Sequence, residues 1–394
     1  MVEVAQKTRT AERQPAELEA QGVEARARAG QPDAQVELAS RLEAQGRFEE
    51  ALDWLSKAGQ QGHAGALTRL GMKLITGGAA PYLPVQGAGL LLNAAHLGGA
   101  EAAARLAVLA GIGVYGPQSW TAALDLLQRA AELGWRNAQI ELAILSDAPE
   151  LAAQAWADGP YPEDLWSRLR QRVDLAAWIT PPAAEALLAD PLVRRFRGFA
   201  PLAACDWLIE QARGRLVPAQ LYDDHSGAAT QNDYRSNSAA NFGLLDTSLV
   251  LVLLQARLAA ALNTSMTMLE AANVLHYAVG EKFDEHHDYI DPRSPSYARL
   301  IAQGGQRTAT CIIYLNDDYE GGETEFTRLG LSHKGARGEA VVFLNTLPDG
   351  TPDPRSAHAG RPPLKGEKWI VVNFTRDRPQ LPQGPEGADR LARR

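Results

Sequence analysis

The sequence predicts two architectures in one chain: an N-terminal α-helical repeat array, then an α+β region of the double-stranded β-helix (jelly-roll) type. Three observations carry this. A small-residue pattern recurs with a 36-residue period before residue 146, short β-branched segments follow residue 262, and histidines and carboxylates cluster at the ends of those segments. At 394 residues the chain is long enough for two or three domains, each with its own core.

The array comes first. The stretches "WLSKAGQQG", "LLNAAHLGG" and "LLQRAAELG" place Gly62, Gly98 and Gly134 in step, with Leu55, Leu91 and Leu127 and Ala58, Ala94 and Ala130 in the same register. An Ala-x-x-x-Leu motif recurs at Ala34/Leu38, Ala66/Leu70, Ala102/Leu106 and Ala138/Leu142. Each unit reads as two amphipathic helices, with alanines where helices approach, leucines in the seam and a glycine ending the second helix. One such pair cannot bury its apolar face alone, so the units are expected to stack. The pattern resembles the Sel-type subfamily of tetratricopeptide-like repeats over roughly residues 31–146. It carries no visible chemistry and reads as a docking surface.

Residues 1–30 read as a helical or flexible lead-in. After residue 146 the register is lost, and residues 147–189 read as a helical connector capping the array. From "VRRFRGFAPLAACDWLIEQARG" onward the texture is mixed, with helices expected near 201–213 and 245–262 and a strand-rich remainder. This second domain is bounded at 190–378, and 379–394 reads as a flexible tail.

Composition narrows the function. Hydrophobic residues at 45% and charged residues at 22% are ordinary globular values, and a net charge of −8 leaves no basic surplus to neutralise phosphates, which argues against nucleic acid. The two cysteines, Cys205 and Cys311, are far apart and suit a reducing compartment. The N-terminal residues lack the apolar core of a signal peptide, and the run "LLDTSLVLVLLQARLAAAL" is broken by Asp246 and Arg257. The expectation is a cytoplasmic protein without a membrane partner.

The chemistry concentrates in "HYAVGEKFDEHHDYID", residues 276–291, which holds three of the eight histidines. On a strand, residues i and i+2 share a face, so His286 and Asp288 would project together and His287 away from them. A third ligand must come from elsewhere: His333 lies in a charged, turn-like stretch, whereas His358 sits among small residues just before an apolar strand. His286, Asp288 and His358 would then form a two-histidine, one-carboxylate metal face with open positions, the kind used by non-haem Fe(II) oxygenases. Between these segments, "RTATCIIYLND", "EAVVFLN" and "KWIVVNF" read as strands, and "EGGETEF" as a Gly-Gly hairpin.

In order and spacing, "YAVGEKFDEHHD", "RTATCIIYLNDDYEGGETEF" and "HAGRPPLKGEKWIVVNF" resemble the prolyl 4-hydroxylase branch of the 2-oxoglutarate- and Fe(II)-dependent dioxygenases, over about residues 190–378. The resemblance implies iron held by His286, Asp288 and His358. It implies that Lys368 binds the distal carboxylate of 2-oxoglutarate, that Tyr277 and Tyr314 contact the co-substrate, and that Arg235 lies in a segment over the substrate groove. His287 departs from the apolar residue usual between the ligands. The implied reaction consumes dioxygen and 2-oxoglutarate, releases succinate and carbon dioxide, and uses ascorbate as reductant. The implied substrate is a prolyl or other residue of a protein or peptide, docked by the repeats. Two other readings are a hydroxylase of a free amino acid or other small molecule, and an inactive repeat scaffold.

Overall fold

Helices of 13 residues succeed one another through the first part of the chain: α1 (Pro32–Ala44), α2 (Phe48–Gln60), α3 (Ala64–Thr76), α4 (Pro84–His96), α5 (Ala100–Ile112) and α6 (Trp120–Glu132), followed by α7 (Arg136–Leu145). In this computed structural model the described residues are 22–148, 161–219, 221–222, 229–230 and 234–380. Much of the lead-in, part of the connector and most of the tail therefore lie outside them. Residues 22–28 are already helical, ahead of the expected start of the array.

The period has a packing cause. Leu55, Leu91 and Leu127 are fully enclosed, as are Ala58, Ala94 and Ala130, because each repeat buries the same stripe against its neighbour. Gly62, Gly98 and Gly134 take positive φ two residues beyond α2, α4 and α6, a conformation that costs glycine little. Gly71 and Gly87 let α3 and α4 touch backbone to backbone: a Cβ on Gly87 would lie 2.5 Å from the Gly71 carbonyl oxygen.

The chain divides into two compact units, and among the described residues the second comprises 143–148 and 171–380. Its helices are α9 (Leu175–Ile179), α10 (Leu202–Arg213), α11 (Leu249–Ala261) and α12 (Tyr297–Gly304); α8 (Leu165–Arg172) lies mostly in the first unit. Its strands run β1 (Ala184–Leu188), β2 (Val193–Phe196), β3 (Val217–Pro218), β4 (Leu221–Tyr222), β5 (Ala229–Thr230), β6 (Ser238–Phe242), β7 (Ala272–Tyr277) and β8 (Phe283–His286). They continue with β9 (Arg307–Tyr314), β10 (Glu320–Gly321), β11 (Thr324–Phe326), β12 (Leu331–His333), β13 (Ala340–Leu344), β14 (His358–Gly360), β15 (Pro363–Lys365) and β16 (Lys368–Arg376).

An eight-stranded sheet of order β1-β2-β13-β9-β16-β7-β6-β3 stands with a four-stranded sheet of order β12-β11-β14-β8, all pairs antiparallel. A core of Val193, Leu275, Ile312, Phe326, Val341, Phe343 and Ile370 joins residues of both sheets. This is the jelly-roll expected, with α10 and α11 close to their anticipated bounds.

Three expectations need correction. The connector is not helical throughout: β1 forms the edge of the large sheet, where pairing with β2 overrides the helical preference of "AEALL". Trp178 of α9 donates its indole N–H to the Leu145 carbonyl, and the enclosed Arg257 of α11 donates to the carbonyls of Trp178, Ala177 and Phe199. Second, "EGGETEF" is not a hairpin, because β10 pairs with β15 while β11 pairs with β12 and β14. Third, the strand-rich remainder contains a helix, α12. Among the described residues no helix is long and apolar enough to cross a membrane.

Candidate metal centre

His286 ends β8 and His358 opens β14, and the two are directly opposed in the antiparallel register. β8 stops at His286, so Asp288 reaches the same place from a bend rather than from the strand face expected of it. Ligand atoms of His286, Asp288 and His358 all lie within 4.8 Å of one another. His286 Nε2 is 3.6 Å from Asp288 Oδ1, and His358 Nε2 is 3.5 Å from Oδ2.

The donor set suits a divalent metal. Nδ1 of His286 lies 2.8 Å from the Asp284 carbonyl oxygen, and Nδ1 of His358 lies 3.0 Å from that of Ser356. A carbonyl can only accept, so each Nδ1 carries the proton and each Nε2 presents its lone pair to the site. Burial, helped by the neighbouring His358, pushes the His286 imidazole down to about 3, which keeps it a neutral ligand. Burial would raise the Asp288 carboxyl, but His358, His286 and a hydrogen bond from Thr310 together hold it below the usual range. Phe283 stacks on His286 and Phe343 packs edge-on to His358, fixing both rings.

A cavity of about 730 Å³ opens between the sheets, a size ordinary for small-molecule sites. One end holds Lys368 and Tyr277, which face each other across β16 and β7; the other reaches Asn273 and Phe374. Lys368 is 1% exposed, and burial pushes its ammonium down to about 7, opposed by the charge of Glu323. Tyr277 is pushed up to about 12 by burial. Gly360 lies against the Tyr277 hydroxyl, where a Cβ would come to 3.3 Å, and so helps keep that end open.

The remaining expected residues separate. Arg235 lines the cavity, half-buried, with its guanidinium over the Phe283 ring and its Nε bonded to Asn237. Tyr314, which the resemblance places in contact with the co-substrate, is fully enclosed, with Lys368 Nζ 5.9 Å from the centre of its ring. Its hydroxyl donates to Thr324, which lines the cavity. Gly335, between β12 and β13, packs directly on the Tyr314 ring, where a Cβ would come to 2.1 Å. His333 is held by Glu339 at 2.6 Å and is no part of the triad. His287 bonds the Pro354 carbonyl.

Sequence reasoning missed Thr310, Thr324, Asn345 and Arg307. Arg307 lines the cavity over the Phe374 ring and pairs with Glu270, which also binds Arg376. Only alternation in "RTATCIIY" hinted that Thr310 faces inward.

Residues 272–376, which contain all three ligands and Lys368, match the 2OG-Fe(II) oxygenase superfamily. The chain is 32% identical over 204 residues to prolyl 4-hydroxylase 13 of Arabidopsis thaliana, covering 48% of this chain and 72% of that protein. It belongs to the prolyl 4-hydroxylase family. The structure of a viral collagen prolyl hydroxylase of Paramecium Bursaria Chlorella virus-1, in complex with 2OG, is similar at 24% identity and a TM-score of 0.36, covering 46% of this chain and 94% of that one. A Sel1 repeat protein of Oxalobacter formigenes is similar at 17% identity and a TM-score of 0.29, covering 38% and 62%.

As a prolyl 4-hydroxylase family member the protein is a 2-oxoglutarate-dependent dioxygenase with Fe(II) as its metal. Bound iron supplies the coupling of dioxygen reduction to oxidative decarboxylation of the oxo-acid. The chain supplies the rest: His286, Asp288 and His358 would hold the metal, and Lys368 stands in the same cavity as a buried cation.

Proposed function

We propose that the protein hydroxylates a prolyl residue of a polypeptide. The overall balance is substrate C–H, dioxygen and 2-oxoglutarate giving substrate C–OH, succinate and carbon dioxide. One observation carries the reading: the three ligands and the Lys368 anchor all stand within the stretch that matches the oxygenase superfamily, in a chain related to prolyl 4-hydroxylases. The cavity also continues along β7 and β16 from the Lys368 end to Asn273 and Phe374, which leaves room beyond a five-carbon dicarboxylate. Ascorbate is proposed as the reductant that restores Fe(II). The helical array is proposed to dock the polypeptide, which would raise its local concentration at the cavity. The two cysteines are free and buried, which supports a cytoplasmic setting.

The test incubates the full-length protein aerobically with Fe(II), 2-oxoglutarate, ascorbate and proline-rich peptides. Succinate release and a mass gain of about 16 Da on a peptide proline, both absent in His358→Ala, are expected. Oxidation of free proline but of no peptide would replace this reading with the small-molecule one.

A further inference from the structure

A polar chain behind the triad serves neither the metal nor the co-substrate directly. Thr310 Oγ1 lies 2.7 Å from Asp288 Oδ2, and Asn345 Nδ2 lies 2.9 Å from Thr310 Oγ1. A hydroxyl has one proton and an ionised carboxylate only accepts, so Thr310 donates to Asp288 and receives from Asn345. The relay therefore runs in one direction, from amide to hydroxyl to carboxylate.

Its placement is non-local. Thr310 lies in β9 and Asn345 follows β13, where the Asn345 amide N–H donates to the Thr308 carbonyl and continues the ladder. Asn345 is 0% exposed, and its Oδ1 has no hydrogen-bond partner among the described residues. The bond to Thr310 is thus the one side-chain hydrogen bond it makes there. An apolar residue in this slot would avoid burying an unpaired carbonyl. The amide is accounted for by what it donates.

The consequence falls on the carboxylate. Both oxygens lie beside a ligand histidine, Oδ1 3.6 Å from His286 Nε2 and Oδ2 3.5 Å from His358 Nε2, but Oδ2 already accepts from Thr310, while Oδ1 accepts no hydrogen bond among the described residues. A carboxylate free to turn about its Cβ–Cγ bond can offer a metal both oxygens, and a second protein oxygen would compete with the co-substrates for open positions. We propose that Thr310 and Asn345 are positioning residues that hold Asp288 in one rotation, so that Oδ1 is the oxygen offered to the metal. This rests on the reading of the triad as a divalent-metal site.

The test uses the full-length protein and Mn(II), with free Mn(II) followed by electron paramagnetic resonance. Thr310→Val, which keeps shape and loses the hydroxyl, should weaken Mn(II) binding about 10–100-fold, the effect typical of losing an outer partner of a ligand. Thr310→Ser should restore it. Asn345→Ala should weaken binding less, and adding it to Thr310→Val should cost nothing further, because it acts through the hydroxyl. Parental Mn(II) affinity in Thr310→Val, a Thr310→Ser variant as weak as Thr310→Val, or fully additive losses would each overturn the relay. His358→Ala separates the two readings. If it loses Mn(II) while Thr310→Val does not, only the relay fails; if it binds as the parent does, the metal reading fails.

Discussion

Lys368 opens β16 directly across from Tyr277 of β7, with its Nζ 5.2 Å from the centre of the phenol ring. Both are nearly fully enclosed, yet both line the cavity. No carboxylate lies within ion-pair distance of this ammonium among the described residues, so a ligand anion would be its first close partner. A desolvated cation of that kind contributes little until the anion arrives.

Replacing Lys368 by Ala should therefore weaken 2-oxoglutarate binding about tenfold to a hundredfold, the equivalent of roughly 1.5–3 kcal/mol for a charge-assisted contact. Mn(II) binding should be unchanged, because Lys368 is no ligand. Calorimetric titration with Mn(II), and of the Mn(II)-loaded variant with 2-oxoglutarate, measures the two in turn; equal co-substrate affinity in parent and variant would remove the anchor.

The same lysine gives a pH signature. An ordinary lysine ammonium titrates near 10.5, and burial pushes Lys368 down to about 7. Between those values the unfolded chain holds a proton that the folded chain lacks, so this group makes stability rise with pH across that window. Below about 7 both states are protonated and the full desolvation cost is felt. A bound dicarboxylate favours the charged form, so binding at about pH 8 should take up a proton. Binding heats measured in buffers of different ionisation enthalpy will report it, and Lys368→Met should abolish the uptake.

The two candidate third histidines separate by function. His358→Ala should lose Mn(II) binding. His333→Ala should keep it and lose stability instead, because Glu339, 4% exposed on its side chain, would lose its partner at 2.6 Å. Metal titration and thermal melting of both variants check this; loss of metal in His333→Ala would reassign the ligand.

Arg257 should prove structural. Its guanidinium, 6% exposed, donates to the carbonyls of Trp178, Ala177 and Phe199 and so ties α9 to α11 and the β2–α10 loop. Arg257→Ala leaves three carbonyls unpaired at roughly 1–3 kcal/mol each, so the second unit should lose at least about 3 kcal/mol and melt roughly 6–12 °C lower. Arg257→Lys should recover only part, because a point charge cannot span three acceptors. An unchanged melting temperature for Arg257→Ala would refute the tie.

What the sequence determined by itself is what local periodicity and short spacing encode. The 36-residue recurrence of Leu55, Leu91 and Leu127 fixes the helical array, since each repeat must bury the same stripe. Alternation and β-branching located β9, β13 and β16. The spacing of His286 and Asp288 survived even though β8 ends between them, because two residues hold both side chains close whether the backbone is a strand or a bend. Tertiary structure decided the rest. It brought His358 opposite His286, enclosed Tyr314 behind Thr324, and turned "AEALL" into an edge strand. It also placed Asn345 behind Thr310, and Glu270 between Arg307 and Arg376. The partners in these last two groups are 35 and more residues apart. Such contacts are set by which strands neighbour one another in the sheet, and pairing order is a property of the whole fold that no local pattern in one segment specifies.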